Sequence, residues 1–185
     1  MAGDRTSHER DTAVALYDAP VPTVSLIPAE TAARIGELLA GPSTTTITAE
    51  GARRYAQAVG DLNPLYFDED AARAAGHRGC TVPPTYVAYA LVQGRPLEQI
   101  GVDGLFVGER PIKLAVARVM FGGEEWDFLE PVCVGDVVTG ETRLAAIDQK
   151  DGSKGPFVRI NREITYTRQP DGAVVARTRQ IGLAR

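Results

Sequence analysis

Little in this chain announces a function outright. Its 185 residues include only two cysteines, Cys80 and Cys133. Two isolated thiols make neither a disulfide framework nor a metal-ligand pattern. Lysine and arginine total 20 against 24 acidic residues, a net charge of −4, and no basic cluster stands out. Without a basic patch to meet phosphates, a nucleic-acid partner is not expected. No apolar run is long enough to span a bilayer. The first twelve residues are polar and lack the apolar core of a secretion signal. A cytoplasmic protein with no membrane partner is the expectation. No internal repeat is visible. Histidine is also scarce, at two residues, His8 and His77.

What remains is an ordinary globular composition, 44% hydrophobic and 24% charged, long enough for one domain with a sizeable core. Residues 1–12 read as a disordered tail. Residues 13–28 hold Pro20, Pro22 and Pro28 and suit an extended arm lying on the domain or on a partner. Pro28 can open a short helix over 28–40, with Ala32, Ile35 and Leu39 on one face and Gly41-Pro42 as the stop. Thr44 to Ile47 is β-branched and predicts a strand. The expected division is an N-terminal arm and helix over 1–42 and the main domain over 43–185.

Thr48 is a good N-cap for the next helix, in which Ala52, Tyr55, Ala56 and Val59 share a face. A polar turn, Gly60-Asp61-Leu62-Asn63-Pro64, ends it. Asp68 can cap a short helix over 69–75, closed by Gly76. Pro83 and Pro84 then open a helix in which Val87, Ala88, Ala90, Leu91 and Val92 cover nearly the whole circumference, with Tyr86 and Tyr89 added. Such a helix must be wrapped. Gly94 and Pro96 terminate it. The second half supplies the wrapping: 104–108, 112–121, 124–130, 136–148, 156–168 and 173–182 read as strands. Val158, Ile160, Ile164 and Tyr166 alternate with Arg159, Asn161, Glu163 and Thr165, so one sheet face is wet. Asp151-Gly152 and Pro170-Asp171-Gly172 are hairpin turns, and Gly135-Asp136 is a further turn. The expected fold is α+β, a curved antiparallel sheet around one buried helix.

The carboxylate turn beside a helix N-terminus suits chemistry on a carbonyl. Plainer readings stand beside it. Asp61 and Asn63 can simply form an Asx turn before Pro64. Tyr66 can be a packed aromatic, Cys80 a buried thiol with no base near it, and Trp126 and Phe128 sheet core. His77 reads as a loop residue.

Gly60-Asp61-Leu62-Asn63-Pro64-Leu65 followed by Tyr66 resembles the Gly-Asp-x-Asn-Pro-(aliphatic)-His motif of the MaoC-like hydratases and dehydratases. Val82-Pro83-Pro84-Thr85-Tyr86 and Glu125-Trp126-x-Phe128-x-x-Pro131-Val132-x-x-Gly135-Asp136 are similar to the N-terminal-domain branch of that family, which includes actinobacterial β-hydroxyacyl dehydratase subunits. The resemblance covers roughly residues 43–184. It implies a single hot-dog domain that pairs side by side with another, and reversible addition of water to an α,β-unsaturated acyl thioester on CoA or a carrier protein. It implies no metal and no cofactor. Asp61 matches the family's catalytic Asp, but Tyr66 stands at the position of its His. With an ordinary pKa near ~10, tyrosine is a poor base at neutral pH but a usable donor. Asp61 and Tyr66 are therefore the catalytic candidates. Asn63, Cys80, Thr85 and Tyr86 are the substrate-contact candidates, with N–H groups near Thr85 and Tyr86 placed to hold the thioester oxygen. Three roles compete: a subunit shaping the acyl tunnel of a heterodimer whose partner carries Asp and His, a self-sufficient homodimeric hydratase or tailoring enzyme on a polyketide-like substrate, and an acyl or small-ligand binding module.

Overall fold

The computed structural model describes residues 24–93, 98, 100, 111–116 and 118–185. Five antiparallel strands form one sheet, in the order β1-β3-β4-β5-β2. They are β1 (Leu38–Thr46), β2 (Val119–Phe128), β3 (Val137–Gly152), β4 (Gly155–Gln169) and β5 (Val174–Ala184). Four short helices precede β2: α1 (Ala29–Ala32), α2 (Ala49–Val59), α3 (Glu69–Ala74) and α4 (Tyr86–Val92). The fold is α+β, a curved sheet with a helix against its inner face.

β3, β4 and β5 form a meander. Gly152 pairs with Gly155 across the first hairpin. In the second, the Asp171 carboxylate accepts from Ala173 N at 3.3 Å and from the Arg168 guanidinium at 2.7 Å. The alternation in β4 is seen directly: Val158, Ile160 and Tyr166 are buried, while Glu163 is exposed. Those inward residues divide between two cores. One joins α4 (Tyr86, Val87, Ala90) and α2 (Ala52) to Val138, Tyr166, Val175 and Ala176 of the sheet. The other gathers Leu39, Leu144, Ile147, Val158, Ile160 and Ala184, with Leu26 and Ile27 of the arm packed against it.

Three expectations are corrected. The helix expected over 28–40 is confined to Ala29–Ala32. Leu39 belongs instead to β1, and Gly41-Pro42 lies within that strand, where the register shifts against β3. The ladder to β3 pairs six residues of Leu38–Thr46, a long-range support that a marginal short helix with Ile35 left exposed could not match. Gly41 fits the bulge because its φ is +90° and a Cβ there would meet the Gly140 carbonyl. The two strands expected over 112–121 and 124–130 become a single strand, Val119–Phe128, while Ile112 and Leu114 pack on the second core outside any strand. Finally, α4 is not buried all round. Tyr86, Val87 and Ala90 are buried, but Tyr89 is 44% exposed, because the sheet covers one side of the helix only. The tail, most of the arm, the 104–108 strand, and Gly94 and Pro96 lie outside the described residues. Among the described residues no helix is long and apolar enough to cross a membrane.

Candidate functional site

The site begins at the end of α2. Thr48 caps that helix, its hydroxyl accepting from Gly51 N at 3.2 Å. Gly60 closes it in the left-handed region at φ 74°, and Asp61 N turns back to the Ala56 carbonyl at 2.9 Å. The chain then makes the Asx turn its sequence predicts. Asp61 Oδ1 accepts from Asn63 N at 3.4 Å, and Asn63 Oδ1 accepts from Leu65 N at 3.1 Å. That cap starts a single 3-10 turn, Pro64–Tyr66, with Pro64 at its first position.

The turn brings the two motif residues together. The Tyr66 hydroxyl donates to Asp61 Oδ2 at 3.2 Å. Tyr66 is only 7% exposed. Burial first, then the Asp61 charge and the bond to it, push the Tyr66 phenol above its ordinary pKa, with the Asn63 side chain working the other way. The phenol therefore stays protonated through the physiological range. It serves as a donor, and its proton is directed at Asp61.

Past α3, which Asp68 caps through Asp70 N and Ala71 N, the chain is fastened at both sides. Thr81 N donates to the Leu65 carbonyl at 3.0 Å and Val82 N to the Val132 carbonyl at 3.1 Å. Arg78 forms a two-pronged bond with Asp136, at 3.0 and 2.9 Å, and Asp136 also accepts from Cys133 N at 2.9 Å. The loop from Gly76 to Val82 is thus pinned to the turn before β3. Pro83 and Pro84 bring no N–H to the start of α4. Of the two expected donors beyond them, Tyr86 N is engaged by the Pro83 carbonyl at 2.8 Å.

Two clefts flank α4. The first, about 260 Å³, has polar walls at Asn63, Tyr66, His77 and Thr81 and apolar walls from Leu65, Val82, Pro84, Val87, Phe128, Leu129, Val132 and Val175. The second, about 370 Å³, runs between α4 and the inner face of the sheet, past Tyr55, Thr85, Tyr89, Trp126 and Tyr166. Trp126 stacks on both Phe128 and Tyr166, with centroids 5.2 and 5.5 Å apart. Of the six candidate residues, Asn63 and Tyr66 line the first cleft and Thr85 the second, and Asp61 adjoins the first through Tyr66. Thr85 shares a 3.0 Å hydrogen bond with the Tyr55 hydroxyl. Cys80 lines neither cleft; its carbonyl holds Val134 N at 2.9 Å. The Tyr86 side chain is buried against α2 rather than facing a cleft. Among the described residues no group of acids, histidines and cysteines is placed to hold a metal ion.

A family model of the FAS1-like dehydratase domain region matches residues 33–177. The chain belongs to that family. Curated relatives of this FAS1-like dehydratase domain include a UPF0336 protein of Streptomyces griseus, 32% identical over 104 residues, and one of Parafrankia sp., 34% identical over 98 residues. These matches cover 56% and 53% of this chain and 64% and 60% of the relatives, so the aligned region is less than two thirds of the proteins it matches. Solved structures with the same fold include the ChsH1-ChsH2 complex of Mycobacterium tuberculosis, at a TM-score of 0.61 and 23% identity, covering 84% of this chain and 91% of that one. The HadBC (3R-hydroxyacyl-ACP dehydratase) complex of the same organism gives 0.59 and 19%, covering 81% and 96%. A MaoC-like dehydratase from Rhodospirillum rubrum gives 0.58 and 19%, covering 81% and 91%. This chain therefore shares the hot-dog fold of those structures.

One site residue escaped the sequence reading. His77 lines the first cleft together with Asn63 and Tyr66. Nothing local signals this, since His77 sits in a Gly-His-Arg-Gly loop that resembles a surface turn. Only the pinning of that loop at Thr81, Val82 and Arg78 brings it to the wall.

Proposed function

We propose that this domain is a hydro-lyase of acyl thioesters, an enoyl hydratase or β-hydroxyacyl dehydratase acting on CoA or carrier-protein substrates. The observation that carries this reading is the first cleft. It joins the motif turn, through Asn63 and Tyr66, to a long apolar wall sized for an acyl chain. A β-oxygen and a thioester carbonyl need polar partners at one end, and an alkyl tail needs none at the other.

The domain works paired. β2 is a ten-residue edge strand bonded on one side only, to β5, and it exposes Val119, Met120, Phe121 and Phe128. Such an edge invites another strand. A second hot-dog subunit, of this chain or another, would continue the sheet there and close the open sides of both clefts. That the similar HadBC and ChsH1-ChsH2 structures are complexes supports a hot-dog partner.

A second reading has a specific observation behind it. Tyr66 donates a hydrogen bond to Asp61 and Tyr86 N is already bonded, so the motif offers no imidazole base and one oxyanion donor fewer. In that reading the chain shapes the tunnel of a heterodimer and the partner supplies Asp and His. Hydration of crotonyl-CoA and of a longer enoyl-CoA, followed by loss of the conjugated thioester absorbance, separates the two. Turnover by the purified chain supports the self-sufficient enzyme. Turnover only after an Asp/His-bearing hot-dog subunit is added supports the tunnel role. No turnover in either case refutes the hydro-lyase reading and leaves a binding module.

A further inference from the structure

We infer that His77 is the proton-transfer residue of the first cleft, supplying from the α3–α4 loop the imidazole that the motif position, occupied by Tyr66, does not. The inference rests on the hydro-lyase reading of that cleft. Its observations are independent of the motif. His77 is half-buried and lines the same cleft as Asn63 and Tyr66. It is also the one histidine among the described residues. Its loop is held rigidly: His77 N donates to the Ala72 carbonyl at 3.0 Å, and the next residue, Arg78, grips Asp136 with two bonds. A catalytic side chain needs such a mount.

The other ionisable residues on the cleft wall cannot do the same work. Tyr66 is a protonated phenol aimed at Asp61. Glu130 is engaged by the Arg168 guanidinium at 2.8 Å. Imidazole is the side chain whose ordinary titration spans neutral pH. In the hydration direction, His77 takes one proton from a water as the water oxygen bonds to Cβ. The Cα–Cβ π pair moves onto the thioester as an enolate, and His77 returns the proton to Cα. Water is added across the double bond and the imidazole is regenerated, with no other reactant. Asn63 caps Leu65 through its carbonyl oxygen and turns its amide N–H₂ toward the Tyr66 hydroxyl, which leaves one of its two hydrogens to hold an oxygen of the substrate.

The test is made on the full chain alone, with crotonyl-CoA. His77→Gln lowers kcat by about 100-fold or more, the usual contribution of a general acid–base group, while KM changes by less than about threefold. Added imidazole restores turnover in His77→Gly. In a His8→Gln background, the remaining imidazole resonance shifts when butyryl-CoA, which cannot be hydrated, is added. Turnover of the chain alone that survives His77→Gln overturns the inference and leaves the hydro-lyase reading standing. So does turnover that appears only with an Asp/His-bearing partner. Silence of both overturns the two together. An unmoved imidazole resonance also refutes the role for His77. Circular dichroism of each variant identifies a loss that is only misfolding.

Discussion

Asp136 is the joint between the candidate site and the sheet, and replacing it with alanine should be costly. Its carboxylate side chain is 6% exposed and accepts from Cys133 N at 2.9 Å and twice from Arg78. The two interactions differ in worth. Arg78 is 59% exposed, so solvent screens the pair and it contributes about 1 kcal/mol at most. The Cys133 residue is buried, and leaving its N–H without an acceptor costs about 1–3 kcal/mol. The sum is about 1–4 kcal/mol, less whatever the alanine regains by not burying a carboxylate. Urea unfolding followed by Trp126, the one tryptophan, reads this directly. With a slope of about 2 kcal/mol/M the midpoint falls by about 0.5–2 M. Arg78→Ala should cost less than Asp136→Ala, since it leaves the bond to Cys133 N intact. Equal losses, or a loss below about 0.5 kcal/mol in Asp136→Ala, would refute this division, because surface substitutions alone stay within that range.

Other outcomes follow from the same geometry. Gly51→Ala should destabilise by about 1–3 kcal/mol, although alanine is the better helix former. The new Cβ would collide with the buried Tyr86 hydroxyl, and a raised urea midpoint would contradict this. Burial pushes the Tyr166 phenol up to about 12. The folded state thus holds its proton more tightly than the unfolded chain, so this stabilisation is complete below about pH 10 and is lost as pH rises toward 12. Tyr166→Phe should flatten the fall in stability over that window; unchanged curves would count against the burial. Tyr66→His places an imidazole beside Asp61 at the motif position. On the hydro-lyase reading it raises crotonyl-CoA hydration by at least about tenfold, and no gain in a folded variant would argue that the cleft does not hold the thioester.

Much of the fold was legible because it is local. Thr48, Gly60, Asp68 and the Pro170-Asp171-Gly172 turn do in the structure what short-range stereochemistry says they must, while the first hairpin turns at Ser153-Lys154, just past the expected Asp151-Gly152, which pair within the ladder. The alternation of Val158, Ile160 and Tyr166 against Glu163 fixes which face of β4 is inward. Where the reading failed, a distant partner overrode a local preference. Residues 35–40 could be helical in isolation, but β3 offers Leu38–Thr46 a ladder. α4 is apolar on every side, yet the sheet covers only one side of it. The strand register had no signal at the Phe121–Gly123 bulge, since the shift depends on β5.

The site divides in the same way. Local sequence sets the Asx turn, the caps, the presence of Tyr66 where the motif has histidine and, through that turn, the bond from Tyr66 to Asp61, because each depends on neighbours within five residues. It also determined that Pro83 and Pro84 bring no N–H to the helix start. Tertiary contacts alone turn Tyr86 toward α2 and bring His77 to the cleft. Those depend on bonds from Thr81, Val82 and Arg78 to residues up to 58 positions away, and a side chain's surroundings are set by whatever the folded chain brings beside it.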